Sequence, residues 1–144
     1  MAERSLDDIT GTVIAAAITV HRAIGPGLLE SVYEALLAAE LIRLGYTVRR
    51  QVSVSFTFNG MHFERAFRID FLVEETVIVE VKSVEQLQRV NPKQLLTYLR
   101  LMQLPVGLLI NFNCATIKDG LRRVVNNFND DSSRRLVLNN PNPL

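Results

Sequence analysis

RIDFLVEETVIVEVK, residues 68–82, is the stretch that decides the fold of this chain. Two apolar runs flank the polar pair Glu74-Glu75, so the segment predicts two strands joined by a tight turn. The second run is almost continuous valine and isoleucine, which is typical of a strand covered on both faces. Three ionisable side chains, Asp70, Glu80 and Lys82, interrupt this apolar sequence and are the main clue to function.

These three side chains are predicted to converge. Glu80 and Lys82 are two residues apart, so they project from one face of their strand, and Asp70 lies on the neighbouring strand. Burying such groups is costly unless they are paired or bind a ligand. Two carboxylates and the carbonyl of Val81 suit Mg²⁺ (or Mn²⁺), and Lys82 could orient a water or stabilise charge on a phosphorane. A purely structural ion-pair network is the alternative.

The sequence on either side of this stretch predicts the element order α, α, β, β, β, α, β. Spacings of three and four residues indicate helices, whereas strict alternation and the turn at Asn59-Gly60 indicate a hairpin. A strand, a helix and a strand in succession form a right-handed crossover, so the last two strands are expected to be parallel. The predicted helices cover about Ile9–Ile24, Leu29–Leu44 and Asn91–Gln103, and the strands cover Val52–Phe58, Met61–Val73, Thr76–Val84 and Val106–Phe112. Residues 113–125 give no clear assignment beyond a turn and a short element.

The apolar positions also predict which faces are buried. In the helices these positions are Ile9, Val13, Ala17, Val20 and Ile24, then Val32, Leu36, Leu37, Leu41 and Leu44, then Leu95, Leu99 and Met102. In the strand that contains Asp70, one face is expected to carry Met61, Phe63, Phe67, Ile69 and Phe71, and the other His62, Glu64, Arg68 and Asp70. Asn91 is expected to be the N-cap of the third helix.

Length and composition fit one globular domain. The chain has 144 residues, 48% of them hydrophobic, and a net charge of +1, so any nucleic-acid site would be a local basic patch. The single cysteine, Cys114, excludes an internal disulfide and a cysteine-rich zinc site. Neither a signal-peptide pattern nor a membrane span is found, so a cytoplasmic location without a membrane partner is expected. We expect one domain over residues 1–125 and a flexible tail over residues 126–144.

Four further side chains are candidates for the same site, each with a structural alternative. Glu30 continues the helical stripe of Tyr33, so it either faces the interior or is a first-turn residue that complements the helix dipole. Gln94 and Tyr98 share a face of the third helix, where they either bind substrate or form the flank of an amphipathic helix. His21 is either a site residue or a packing histidine.

Six sequence blocks in this order resemble the GxxExxY family, which is placed in the PD-(D/E)xK nuclease superfamily. The blocks are HRAIGPG (21–27), GLLESVY (27–33), RIDFLV (68–73), VIVEVKSV (77–84), QLLTY (94–98) and GLLINF (107–112). The resemblance covers roughly residues 8–125 and implies a restriction-endonuclease-like α/β fold. Such a fold has an αβββαβ core with a short mixed sheet flanked by helices, here with an extra N-terminal helix.

The resemblance also implies site residues. The D…E-x-K triad of the superfamily is matched by Asp70, Glu80 and Lys82. Glu30 matches the acidic residue on the first core helix of RecB-like and Holliday-junction-resolving relatives, and residues 94–98 match the QxxxY motif of RecB-like exonucleases. The proline that leads the family motif is replaced by isoleucine before Asp70, at a position that varies in the superfamily.

These matches predict a Mg²⁺-dependent nuclease that hydrolyses phosphodiester bonds in DNA, with RNA less favoured, in DNA repair or processing. The metal would be held by Asp70, Glu80, Glu30 and the carbonyl of Val81, and the substrate by Gln94, Tyr98 and Arg68. Further candidates for phosphate contacts, each with solvated surface charge as its alternative, are Arg49, Arg50, Arg65, Arg89 and Lys93. The rival function is a non-catalytic module that binds nucleic acid or a protein partner, and a homodimer stays open.

Overall fold

The computed structural model describes residues 3–127 and 136–138. Its elements are α1 (Leu6–Ile24), α2 (Glu30–Arg43), β1 (Val48–Phe58), β2 (Met61–Val73), β3 (Val77–Lys82), α3 (Val90–Met102), β4 (Val106–Asn111), α4 (Ile117–Gly120), β5 (Leu121–Val125) and β6 (Leu136–Leu138). The predicted order of three helices and four strands is confirmed. The short helix α4 and strand β5 occupy the segment without an assignment, and β6 lies within the segment expected to be a tail, most of which is outside the described residues.

The strands form one mixed sheet in the order β5-β4-β3-β2-β1-β6. The β1–β2 and β2–β3 pairs are antiparallel, and β3 and β4 are parallel from Val77–Val106 to Lys82–Asn111. The predicted crossover through α3 is therefore confirmed. Both edge strands, β5 and β6, pair antiparallel with their neighbours. Helices cover the sheet, so the predicted α/β architecture of a short mixed sheet flanked by helices is confirmed.

Two buried clusters place the helices on opposite faces of the sheet. The first contains residues of α1 and α2 and the side chains of Val77, Val79 and Val81. The second contains residues of α3 and Ile78. Because side chains alternate along a strand, Glu80 and Lys82 follow Ile78 on one face, as the sequence predicts, and the structure shows that α3 covers this face.

The buried face of α2 differs from the predicted one. Val32 and Leu44 are 38% and 40% exposed, whereas Tyr33, Leu37 and Leu41 are completely buried. Successive residues are about 100° apart around a helix, so a face centred on Tyr33 turns Val32 toward solvent. Tyr33 lies in this face because its ring packs in the core, as described below. In α1 the last predicted position, Ile24, is also exposed.

Helix starts depend on side-chain hydrogen bonds that the sequence interpretation partly missed. At the start of α1 the N–H of Asp8 donates to Ser5 Oγ at 3.1 Å and the N–H of Ser5 donates to Asp8 Oδ2 at 3.2 Å, which forms a capping box. The prediction that Asn91 caps α3 is wrong, because the helix begins at Val90. Asn91 Oδ1 instead accepts from the N–H of Gln88 at 2.8 Å and stabilises the preceding turn.

The side-chain alternation of β2 changes at Asp70. Ile69 packs in the cluster beneath α3 and Phe71 packs in the cluster beneath α1 and α2, so the prediction of one common face is wrong. Regular pairing of β2 with β3 extends only to Phe71–Val79. In β1, Gln51, which lies between the residues paired with Ile69 and Phe71, has a left-handed φ of 53°. The sheet is therefore irregular at Asp70, and this irregularity creates the site.

Among the described residues, no helix combines the length and the apolar character needed to cross a membrane.

Candidate active site

Asp70 and Glu80 meet where β2 and β3 separate. Asp70 Oδ2 accepts a hydrogen bond from the N–H of Val81 at 2.8 Å. The N–H of Asp70 lies 3.4 Å from Glu80 Oε1 and donates to it. Carboxylates thus bond to main-chain groups that strand pairing leaves unused at this point. The two acids that the sequence predicts to converge are held together between the central strands.

The surroundings favour the protonated form of Glu80. Burial, followed by the charge and hydrogen bond of Asp70, raises the pKa of the Glu80 carboxyl to about 9, and the charge of Lys82 opposes this shift. Two carboxylates in contact cannot both ionise without a large repulsion. A divalent cation would neutralise that repulsion, so the chemistry of this donor pair fits a hard metal ion.

The main chain of Val81 offers a third oxygen to the same gap. The N–H of Val81 faces β2, because it donates to Asp70. In an extended strand the N–H and C=O of one residue point to the same side, so the Val81 carbonyl faces the gap as well. Within residues 3–127 no three His, Cys, Asp or Glu side chains cluster as a metal site. The described part of the chain thus presents two carboxylates and one carbonyl, which suits Mg²⁺ because this ion keeps several waters.

Lys82 lies at the end of β3, two residues after Glu80, and is half-buried. Its carbonyl accepts from the N–H of Phe112 at 2.8 Å, which fixes the strand end against the end of β4. In the described part of the chain no carboxylate oxygen comes within 4 Å of its ammonium. The ammonium can therefore act on a substrate or a water instead of closing an ion pair.

A buried asparagine, which the sequence interpretation missed, anchors the chain just after Lys82. Asn111 is 1% exposed and forms two bonds with the main chain of Val84: its Nδ2 donates to the carbonyl at 2.8 Å, and its Oδ1 accepts from the N–H at 3.0 Å. The signal was available, since Asn111 is the one amide that ends the otherwise apolar strand VGLLIN. These two hydrogen bonds hold the chain at Val84, just after β3 ends at Lys82.

Glu30 does not face the interior. It is exposed and is the first residue of α2, so the first-turn interpretation is correct and the interior one is wrong. The loop before it nevertheless touches the site, because Ser83 Oγ donates to the carbonyl of Leu28 at 2.5 Å. Since Ser83 follows Lys82, α2 begins at the same end of the sheet from which Lys82 emerges. Among the described residues, no hydrogen bond joins Glu30 to the paired acids.

Tyr33 fixes that loop, a role that was not predicted. Its hydroxyl donates to the carbonyl of Gly25 at 2.5 Å and accepts from the N–H of Leu28 at 3.1 Å. Its ring stacks on Phe112 with centroids 4.6 Å apart. A tyrosine within an apolar helical stripe was the available signal, because a buried hydroxyl needs a partner. Tyr33, the last residue of GLLESVY, thus holds the turn over residues 25–28, which includes Gly27, the first residue of that block.

Tyr98 is the predicted substrate-binding residue whose hydroxyl is influenced by the charges of both acids. It is half-buried and stacks on Phe67, with ring centroids 4.2 Å apart and planes within 4°. Burial first, and then the charges of Glu80 and Asp70, raise the pKa of its hydroxyl. Gln94 lies one helical turn earlier and is exposed, so it stands at the rim and not in the gap.

The other predicted polar residues divide into exposed and structural groups. Arg68 is exposed on β2, two residues before Asp70, and His62 is exposed near the hairpin tip. His21 is buried and its Nε2 lies 2.8 Å from the carbonyl oxygen of Cys114, so it packs and orders the segment after β4. Among the remaining arginines, Arg49 pairs with Glu75 at 3.3 Å and Arg50 lies 3.9 Å from Glu34, whereas Arg65, Arg89 and Lys93 are exposed.

Comparison with known proteins agrees with this geometry. A model of the PD-(D/E)XK nuclease superfamily matches residues 7–124, which include both acids, Lys82 and all the elements around them. Neither the curated proteins nor the solved structures gave a significant match. Nucleases of this superfamily generally use divalent metals, which agrees with the paired carboxylates. Because the match covers most of its length, the chain belongs to the PD-(D/E)XK nuclease superfamily.

Proposed function

We propose that this chain is a Mg²⁺-dependent (or Mn²⁺-dependent) nuclease that hydrolyses phosphodiester bonds in DNA. The observation that carries the proposal is the contact of Asp70 and Glu80 in the gap between β2 and β3, with Lys82 on the same strand face as Glu80. A structural ion-pair network would place the ammonium against a carboxylate. Instead, the two carboxyl groups lie against each other, an arrangement that requires either a shared proton or a cation between them.

Each residue of the gap has a definite task under this proposal. Asp70, Glu80 and the carbonyl of Val81 would hold the metal, and Glu30 would approach it from the start of α2. When bound, a divalent metal activates the attacking water and offsets charge on the phosphate. Lys82 would orient that water and stabilise the added negative charge of the transition state.

Substrate contacts are assigned to residues around the gap. Tyr98 and Gln94 would position the scissile nucleotide from α3, and Arg68 would bind a phosphate from β2. The net charge of +1 means that affinity rests on such local groups and not on a general attraction. RNA is the less favoured substrate, and repair or processing of DNA is the expected setting.

We further assign the chain to the GxxExxY branch of the superfamily, because Gly27, Glu30 and Tyr33 keep that spacing. The structural role of Tyr33 supports this assignment, since its hydroxyl holds the loop that leads to Glu30. A cytoplasmic location, and a protein partner or a homodimer, remain predictions of the same proposal.

A parallel titration tests the proposal. Mg²⁺ or Mn²⁺ is added to the wild type and to Glu80→Ala, while the heat of binding and the cleavage of labelled DNA are recorded together. Glu85→Ala is the matched control, because Glu85 is exposed in the loop after β3. We expect metal binding and cleavage in the wild type and the control, and neither in Glu80→Ala. If no protein binds metal, the metal-site proposal is refuted.

A non-catalytic nucleic-acid-binding or protein-binding module is the second candidate. It is favoured by the exposed position of Glu30, so that among the described residues two carboxylates lie in the gap. Metal binding without cleavage of any labelled DNA or RNA, combined with tight binding of either, would favour this candidate over the nuclease.

A further inference from the structure

The distal part of the β1–β2 hairpin, residues 55–66, extends beyond the two buried clusters and pairs with β6 along Phe56–Phe58, and we refer to it as the arm. Every residue from Met61 to Ala66 is exposed, and no arm residue belongs to either buried cluster. Its tip is nevertheless apolar, since Phe58, Met61 and Phe63 are 43%, 62% and 40% exposed. Adjacent exposed apolar side chains on such an element indicate a surface that binds something.

The strand register places these side chains on the sheet face that α3 covers. Phe56 pairs with Phe63, and Phe58 pairs with Met61. The register of the hairpin shifts between Val54 and Phe56, but the additional residues lie on β2, between Phe63 and Phe67, so β1 keeps its alternation and Val54, Phe56 and Phe58 share a face. Val54 is buried in the cluster beneath α3. The apolar tip is therefore on the same face as Glu80 and Lys82.

Stacked aromatic rings connect the arm with the candidate active site. Phe56 and Phe63 stack with centroids 5.0 Å apart, and nearer to the site Phe67 stacks on Tyr98 at 4.2 Å. The charges of the two acids contribute to the raised pKa of the Tyr98 hydroxyl, so this end of the row lies close to them. An aromatic strip thus runs from the acids to the tip of the arm.

Positive charge accompanies the strip. Arg65 is exposed on β2 at the register shift, and in the described part of the chain it has no carboxylate oxygen within 4 Å. Guanidinium groups bind phosphates and also stack on flat rings. Stacking surfaces with flanking cations are the features by which proteins bind single strands, because only unpaired bases expose their faces.

Resting on the function proposed above, we propose that the aromatic strip binds single-stranded nucleic acid and leads an unpaired strand to Asp70 and Glu80. The length of the strip suits a short single strand. Val54, paired with Phe67, and Phe58, paired with Met61, are four positions apart on β1, which corresponds to about 14 Å. At about 3.4 Å per stacked base, this length accommodates about four nucleotides. The substrate class is therefore a single strand, a flap or a splayed end, and not an intact duplex.

Binding measurements without divalent metal test this proposal, because cleavage is then absent. Fluorescence anisotropy with the full chain would compare a labelled single-stranded DNA of about 12 nucleotides with the matching duplex. The double variant Phe58→Leu, Phe63→Leu keeps apolar side chains and removes two rings. Ile42→Ala is the control, because Ile42 is an exposed apolar residue on α2. Thermal unfolding of each variant checks that the arm substitutions leave the domain folded.

We expect the wild type to prefer the single strand and the double variant to bind it at least about fivefold more weakly. Duplex affinity and the behaviour of Ile42→Ala should not change. Equal single-strand affinity of the wild type and the double variant would overturn the proposal. So would a wild-type dimer that Phe63→Asp converts into a monomer with unaltered DNA binding, because the strip would then bind a second copy of the chain. If the double variant binds the single strand more weakly than the wild type but the wild type shows no metal-dependent cleavage, the binding role of the strip is supported and the proposed nuclease activity is refuted.

Discussion

Replacing Glu80 by glutamine should reduce the pH dependence of stability of the metal-free protein between about pH 5 and pH 8. An ordinary glutamate carboxyl has a pKa of 4.5, and in the folded chain that of Glu80 is about 9. Between these values the folded chain holds a proton that the unfolded chain has released, so the free energy of unfolding falls as the pH rises. The limiting slope is about 1.4 kcal/mol per pH unit, or about 4 kcal/mol between pH 5 and pH 8.

The contact with Asp70 reduces this figure, because the proton is shared between two coupled carboxyls. We therefore expect the wild type to lose about 2 kcal/mol more than Glu80→Gln over that range. Urea unfolding in the presence of a chelator, repeated at several pH values, measures the difference directly. Glu85→Gln, which alters an exposed carboxylate in the loop after β3, should retain the wild-type dependence.

Adding magnesium extends the same experiment. A metal bound by Asp70 and Glu80 displaces the shared proton. Saturating Mg²⁺ should therefore flatten the pH dependence of the wild type and leave Glu80→Gln unaffected. Parallel curves for the wild type and Glu80→Gln without metal would refute the reasoning, because Glu80 would then be ionised in the folded chain.

Three other substitutions test the parts around the two acids. Lys82→Met should lose cleavage while keeping or increasing Mg²⁺ affinity, measured by calorimetry, because the repelling ammonium is removed; a loss of metal affinity would contradict its assigned role. Tyr33→Phe should lower the free energy of unfolding by about 1–2 kcal/mol in urea, because the N–H of Leu28 loses its partner; an unchanged value would mean that water replaces the hydroxyl. Gly107→Ala should cost about 1 kcal/mol in thermal unfolding, because its Cβ would lie 2.9 Å from Leu95 Cδ1; a stabilised variant would show that α3 shifts freely.

Much of the fold was accessible from the sequence because periodicity and the turns were unambiguous. Glu74 and Glu75 leave space for only a tight turn, so Asp70 and Glu80 had to lie on adjacent strands. The alternation of Val77 and Ile78 between two cores was equally clear, since both faces of a central strand are covered. Local patterns of this kind predict how strands that are consecutive in the chain pair, and they therefore predict that Asp70 and Glu80 lie together.

What the sequence could not provide depends on contacts between distant segments. Ile69 and Phe71 point to opposite faces because the sheet is irregular at Asp70. The sequence around Asp70 still alternates between apolar and polar residues as in a regular strand, so the irregularity could not be predicted from it. Tyr33, and not Val32, faces inward because its ring meets Phe112, which is far along the chain. Glu30 likewise looked ambiguous, since a first-turn acid and an inward acid have the same spacing.

The strand connections also determine the order in which the site can be assembled. The β1–β2–β3 meander occupies residues 48–82 without interruption, so its pairs close short loops. The parallel β3–β4 pair requires the whole crossover of α3 to be in place first. During folding the two acids can therefore come together while still hydrated, and Glu80 takes up its proton when α3 closes over them. Formation of the α3 layer is accordingly the step at which the folding chain should bind a proton, or a divalent cation in its place.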